Sequence, residues 1–260
     1  MRTTYGCKVP EFGPASFRAV TRHMRALVIS DIHGNIDVLR ALERQWGSGL
    51  DTFERIVCLG DLVDYGPDPR EVIDWVRSRA TDVIRGNHDH AMATGESCQS
   101  APAYLEASVT TRNRLRATLT RDDLDYLGAL PLTRLVDDGQ RTWHLVHAAP
   151  VNPLHEYVPP ESTDVRWKAA LDDLIEQRVL LGHTHLAFAR AFGGGVVVNP
   201  GSIGMPKDAN PHGSYAVIRD SAVQFCRVVY DPEPMVGRLR QLDLPERVFV
   251  QLAHTFRTGL

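Results

Sequence analysis

The chain has 260 residues, a formal charge of −3, 43% hydrophobic residues and 23% charged residues. That length can bury a sizeable core, the balanced composition excludes a chain disordered throughout, and no apolar run approaches the roughly 20 residues of a membrane helix. The slightly acidic balance argues against a dedicated nucleic-acid surface, which would be basic.

Residues 1–23 carry no continuous apolar core of a signal peptide and read as an irregular arm. A single domain is expected over 24–260, in the cytoplasm. Ala26–Ser30 is a short apolar run that ends in Asp31, and Asn35 is placed to cap a helix bearing Ile36, Leu39, Leu42 and Trp46. Arg55–Gly60 is a second run, ending in Asp61. Pro69 opens a helix carrying Val72, Ile73 and Val76. Asp82–Arg85 is a third run and leads into Gly86-Asn87-His88-Asp89. This βαβαβ rhythm predicts a largely parallel α/β arrangement.

The rhythm breaks over 91–131, which reads as a helical insert. There Thr120 and Asp123 form a capping-box pattern before Leu124, Leu127 and Leu130. Strands are expected at Thr133–Val136 and Trp143–Val146, with a polar turn at Gln140 between them. A helix starting at Ser162 or Thr163 carries Trp167, Leu171, Leu174 and Ile175, and Val179–Gly182 is one more short strand. From residue 188 the pattern is all strand, with Gly193–Gly195 as a hairpin turn and strands at Val196–Val198, Tyr215–Ile218 and Val223–Tyr230. Two helices close the chain, about Pro234–Gln241 and Glu246–Phe256.

Five of the apolar runs end at a side chain able to ligate metal. Asp31 and His33 follow the first, Asp61 the second, Asn87 and His88 the third, His147 follows Trp143–Val146, and His183 and His185 follow Val179–Gly182. In open α/β sheets, ligands bind at the carboxyl ends of strands, so these runs build one site if the strands are neighbours. Two carboxylates, one amide oxygen and four imidazoles, with no thiolate, suit Mn, Fe, Zn, Co or Ni better than Ca or Mg. Seven donors exceed the four of a single zinc site, and one shared carboxylate lets them hold two ions about 3.5–4 Å apart. The four cysteines form no C-x-x-C pair, and Cys58, inside an apolar run, reads as a small buried hydrophobe.

In these motifs the chain resembles the calcineurin-like metallophosphoesterase superfamily, in its small prokaryotic branch. The matching segments are Asp31-Ile-His33-Gly-Asn35, Gly60-Asp61-Leu-Val-Asp64-Tyr-Gly-Pro67, Gly86-Asn87-His88-Asp89, His147-Ala, Gly182-His183-Thr-His185 and Asn199-Pro-Gly-Ser202. The resemblance covers about residues 24–230. It implies a four-layer αββα sandwich of two mixed sheets with a dinuclear site at one sheet edge. One ion, Mn foremost, would take Asp31, His33, Asp61 and His185, and the other Asp61, Asn87, His147 and His183. Asp61 and a water or hydroxide would bridge them. His88 would contact the phosphate and protonate the leaving oxygen, with Asp64 orienting it.

The resemblance further implies hydrolysis of a phosphomonoester or phosphodiester by metal-activated hydroxide. The substrate would be a phosphorylated small molecule, a nucleotide or a phosphoprotein. A protein serine/threonine phosphatase or a dinucleoside-polyphosphate phosphatase uses the same core, and a catalytically silent scaffold is a known fate of the fold. All seven ligands remain here, which opposes the scaffold reading. Tyr65 stands where protein phosphatases of this family carry a phosphate-gripping Arg. Two ions, two aspartates and a bridging hydroxide sum to about +1, which attracts a phosphate ester despite the net −3. Arg85, before Gly86, is expected either to meet an anionic substrate or to pair with a carboxylate. His90, His144, His155 and His212 match no ligand position, and His155, in the loop after His147, is the one best placed to touch substrate. Met205 and Lys207 stand where a Gln and an Arg would be expected.

Overall fold

The computed structural model describes residues 25–137, 141–174, 177–219 and 222–260. The expected N-terminal arm, the Gln140 turn and Ile175 lie outside these residues. The first sheet has the order β10-β9-β1-β2-β3. It is built from β1 (Arg25–Ile29), β2 (Arg55–Cys58), β3 (Asp82–Val83), β9 (Gly213–Arg219) and β10 (Ala222–Val228). β1, β2 and β3 run parallel, and β9 and β10 extend the sheet antiparallel. The second sheet has the order β4-β5-β6-β8-β7. Its strands are β4 (Thr133–Asp137), β5 (Thr142–Val146), β6 (Arg178–Leu180), β7 (Ala187–Phe192) and β8 (Gly195–Pro200). β5, β6 and β8 are parallel, with β4 and β7 antiparallel at the two edges.

The strand period of two sorts the apolar side chains into layers. In β1, Ala26 and Val28 face the second sheet and pack with Trp143, Leu145, Leu180 and Val198. Leu27 and Ile29 point the other way, against α1 (Ile36–Trp46) and α2 (Pro69–Arg79). On the far face of the second sheet, Val146, Val179 and Val197 pack on Trp167 and Leu171 of α6 (Asp164–Leu171). The result is helix, sheet, sheet, helix, as the motifs implied.

The helix signals act as expected at most ends. Asn35 accepts the Val38 amide at the start of α1, Pro69 stands in the first turn of α2, and Thr163 caps α6. Leu174 falls in a 3-10 turn after α6. The insert is not continuous. α3 (Asn87–Thr94), α4 (Pro102–Leu115) and α5 (Arg121–Ala129) are separated by irregular chain, and the Thr120–Asp123 capping box opens α5. α3 begins four residues earlier than the sequence pattern indicated, so Asn87 and His88 sit in its first turn rather than in a loop. α7 (Glu233–Arg240) and α8 (Glu246–Thr258) pack with Tyr65, Ala107 and Met205 in a separate apolar cluster beside the insert. No helix among the described residues is long and apolar enough to cross a membrane.

Candidate metal centre

The five ligand-bearing segments do meet, but not on one sheet. Asp31, His33, Asp61, Asn87 and His88 follow β1, β2 and β3, while His147, His183 and His185 follow β5 and β6 of the other sheet. The site is the seam where the carboxyl ends of both sheets converge. Backbone bonds latch the loops together. Ile32 and His33 both donate to the Asp61 carbonyl, at 2.8 and 3.0 Å, and Gly34 donates to Leu62 at 2.8 Å. Within the second sheet, Gly182 donates to the His147 carbonyl at 2.8 Å, and across the seam the His183 amide donates to Asp31 Oδ2 at 3.1 Å.

These loops are tightly bent. Asp31, His33, Asp61, Asp64, Tyr65, His183 and His185 all have φ between 48° and 66°, a left-handed region costly for residues with a Cβ. The latching bonds hold them there. Gly86 is required for a different reason: a Cβ at this position would lie 2.0 Å from Asp61 Oδ1.

Among the described residues two donor groups face each other, Asp31 with His33 and His185, and Asp61 with His147 and His183, and a third, Asp64 with His88 and Cys98, lies beside them. All but His183 are buried, and His183 is half-buried. In the first group, His33 Nδ1 faces the Val63 carbonyl at 2.9 Å and His185 Nδ1 faces that of Met205 at 2.5 Å. A carbonyl only accepts, so both Nδ1 atoms carry the proton and both Nε2 atoms carry lone pairs. Those lone pairs face each other at 3.2 Å. Burial keeps the rings neutral, pulling His33 down to about 3 and His185 well below the usual histidine range. Two opposed lone pairs repel, and a cation between them removes the repulsion.

The second group repeats the pattern. His147 Nδ1 donates to the Leu59 carbonyl at 2.7 Å, which turns Nε2 toward Asp61 Oδ2 at 3.2 Å and Asn87 Oδ1 at 3.1 Å. The Asn87 amide is oriented by its Nδ2, which donates to the Cys98 carbonyl at 2.6 Å. Burial opposes the His147 imidazolium, but the Asp61 carboxylate lifts the ring to about 9. In the metal-free protein a proton therefore occupies the direction a cation would take. Asp61 Oδ2 also lies 3.8 Å from His33 Nε2, so one oxygen faces both groups. Burial raises Asp31 to about 6, whereas at Asp61 the neighbouring His147 and His88 outweigh burial and hold the carboxyl well below its usual range. Buried carboxylate oxygens and imidazole nitrogens together suit divalent transition metals.

His88 stands beside the groups, its Nδ1 2.8 Å from Asp64 Oδ2. Arg112, on α4 of the insert, reaches the same oxygen through Nε at 3.1 Å and Nη2 at 3.0 Å. Its Nη2 also donates to Cys98 Sγ at 2.9 Å. Asp89, quoted in a motif but given no role from the sequence, accepts the amides of Asp61 and Leu62 at 2.8 Å and of Gly86 at 3.0 Å. The Asn199-Pro-Gly-Ser202 segment is a tie as well. Asn199 Nδ2 donates to Gly182 at 2.6 Å, and Ser202 Oγ donates to the Asp31 carbonyl at 2.7 Å. Asp89 and the Asn-Pro-Gly-Ser segment were visible as motifs. Arg112 had no sequence signal.

Over the groups opens a cavity of about 290 Å³, floored by Asp61, Asn87, His88, His183 and His185. Its walls include Tyr65, Tyr104, His155, Tyr157 and Lys207. His155 is where its loop position suggested, whereas His90, His144 and His212 do not line this cavity. Arg85 does not line it either. Its Nη1 donates to the Gly128 carbonyl at 2.8 Å near the end of α5.

Residues 24–221 match the calcineurin-like phosphoesterase superfamily domain. The chain belongs to that superfamily. Its fold is similar to a metallophosphoesterase crystal structure from Sphaerobacter thermophilus, 30% identical, with a TM-score of 0.73 over 90% of this chain and 99% of that one. It is also similar to a hypothetical protein from Pyrococcus horikoshii, 26% identical, with a TM-score of 0.75 over 88% of this chain and 97% of the other. An uncharacterised protein of Methanocaldococcus jannaschii is 28% identical over 240 residues, 84% of this chain and 93% of that one.

Proposed function

We propose that this phosphoesterase-superfamily chain hydrolyses phosphate esters with two divalent transition-metal ions, Mn foremost, with Fe, Zn, Co or Ni as the other candidates. The observation that carries the reading is that the His33 and His185 Nε2 lone pairs oppose each other at 3.2 Å while one Asp61 oxygen faces both His33 and His147. Asp31, His33, Asp61 and His185 would hold one ion, and Asp61, Asn87, His147 and His183 the other. Two such ions supply Lewis acidity at phosphorus-bound oxygen and a water acidified toward neutral pH. The chain's own residues do the rest. The cavity over the site receives the ester. His88 protonates the leaving oxygen, and Asp64, braced by Arg112, fixes the ring for that transfer. The buried floor excludes bulk water from the reacting groups.

The test is a matrix of metals and substrates on purified protein: an aryl monoester, an aryl diester, cyclic nucleotides, dinucleoside polyphosphates and a phosphopeptide. Hydrolysis should vanish on exhaustive chelation and return with Mn. Asp61→Asn should lower bound metal as well as turnover, since one oxygen faces both groups. Turnover untouched by chelation would overturn the reading.

A further inference from the structure

We propose that Lys207 is the substrate-binding cation of this site and that it makes the enzyme favour phosphomonoesters over phosphodiesters. This rests on the phosphoesterase reading above and assigns a substrate class within it.

Among the described residues lining the cavity, Lys207 alone is a lysine or arginine. The other nearby cations are engaged elsewhere. Arg112 is spent on Asp64 and Cys98, and Arg85 on the Gly128 carbonyl. Lys207 shares the cavity with Asp61, His88 and His183, so its ammonium and the proposed catalytic groups meet one bound molecule. Its Nζ lies over the Tyr104 ring, 4.4 Å from the centroid. A cation–π contact of this kind holds an ammonium in place while leaving its N–H groups free to donate. Tyr104 belongs to α4, so the helical insert supplies the ring that steadies the cation. Burial pulls the Lys207 ammonium down to about 8 against the opposing pull of the Asp31 and Asp61 carboxylates, which leaves it mostly charged at neutral pH. Ions held by those carboxylates would compensate them and leave the ammonium to the substrate.

Charge then decides the class. A monoester carries two negative charges near neutral pH and a diester one, and Coulomb energy scales with the product of the charges. The same ammonium therefore stabilises a bound monoester about twice as strongly in free energy.

The experiment measures kcat/KM of Mn-loaded wild type, Lys207→Ala and Lys207→Arg on an aryl monoester and on the diester of the same phenol. Metal content and inorganic-phosphate binding by calorimetry are measured in parallel. A charge-assisted contact predicts a loss of about 10–100-fold on the monoester in Lys207→Ala, and about 3–10-fold on the diester. The monoester preference thus falls by about 3–10-fold. Bound metal should stay as in wild type, phosphate binding should weaken, and Lys207→Arg should restore most of the preference because the guanidinium keeps the charge. Equal losses on both esters, no loss on either, or loss of metal from Lys207→Ala would overturn the proposal. If wild type turns over neither ester, the phosphoesterase reading fails, and phosphate binding decides Lys207 by itself: an affinity identical in wild type and Lys207→Ala, or no phosphate binding by wild type, overturns its role.

Discussion

Asp64 Oδ2 takes hydrogen bonds from His88 Nδ1 and Arg112 Nε and pairs with Arg112 Nη2 at 3.0 Å, an arrangement that fixes the imidazole ring. The role proposed for His88 is proton transfer and not the holding of an ion. His88→Ala should therefore keep its full metal content and lose about 10²–10⁴-fold in turnover, the range of a general acid. The loss should grow as the leaving phenol becomes more basic, which metal analysis and a series of aryl phosphates measure together. Loss of metal from this variant would instead make His88 a ligand. The two proposed histidine roles go with different hydrogen-bond partners. Nδ1 of the proposed ligands His33, His147 and His185 donates to a backbone carbonyl, while Nδ1 of His88 meets a carboxylate.

At the scale of elements, the insert is part of the site. α4 supplies Arg112 and Tyr104, and the segment before it supplies the Cys98 carbonyl that orients Asn87. Arg112→Ala would leave the fully buried Asp64 carboxylate without its cation. Breaking a buried pair from one side costs about 3–5 kcal/mol, which denaturant unfolding of the chelated protein should show, and Arg112→Lys should recover part of it. The insert also explains why some of the site was hidden in the sequence. Asp31, Asp61, Asn87, His147 and His183 were legible because each directly follows an apolar run, where the strand itself delivers it. Arg112 lies 48 residues from Asp64, on a helix without a marked apolar stripe, so no local pattern announces the contact. Helix α3 was displaced for a related reason. Its first residues are the motif itself, and Asp89 caps it by accepting the Gly86 amide while also holding the Asp61 loop.

At the scale of the molecule, the site lies on the seam between two sheets, and each proposed ion would join side chains from both. Asp31 and His33 follow β1 while His185 follows β6, and Asp61 follows β2 while His147 follows β5. Metal should therefore stabilise the whole fold and not one loop. At about a hundredfold excess over Kd, binding at one site adds about 2.7 kcal/mol, or about 5–10 °C in Tm for a chain of this size. Calorimetric scans with Mn and after chelation measure the difference, and an unchanged Tm would count against ions that link the sheets.

By itself the sequence determined the strands, the capped helices and the chemical identity of the donors. Apolar periodicity and capping residues act over a few positions, and a ligand placed at a strand end is directed by the strand it follows. Only the tertiary structure decided that the five ligand-bearing strands are divided between two sheets, that Arg112 braces Asp64, that Arg85 turns away to α5, and that Lys207 faces the cavity over Tyr104. Those contacts join segments far apart in the chain. They are set by how the sheets and the insert pack, which no local run of residues encodes.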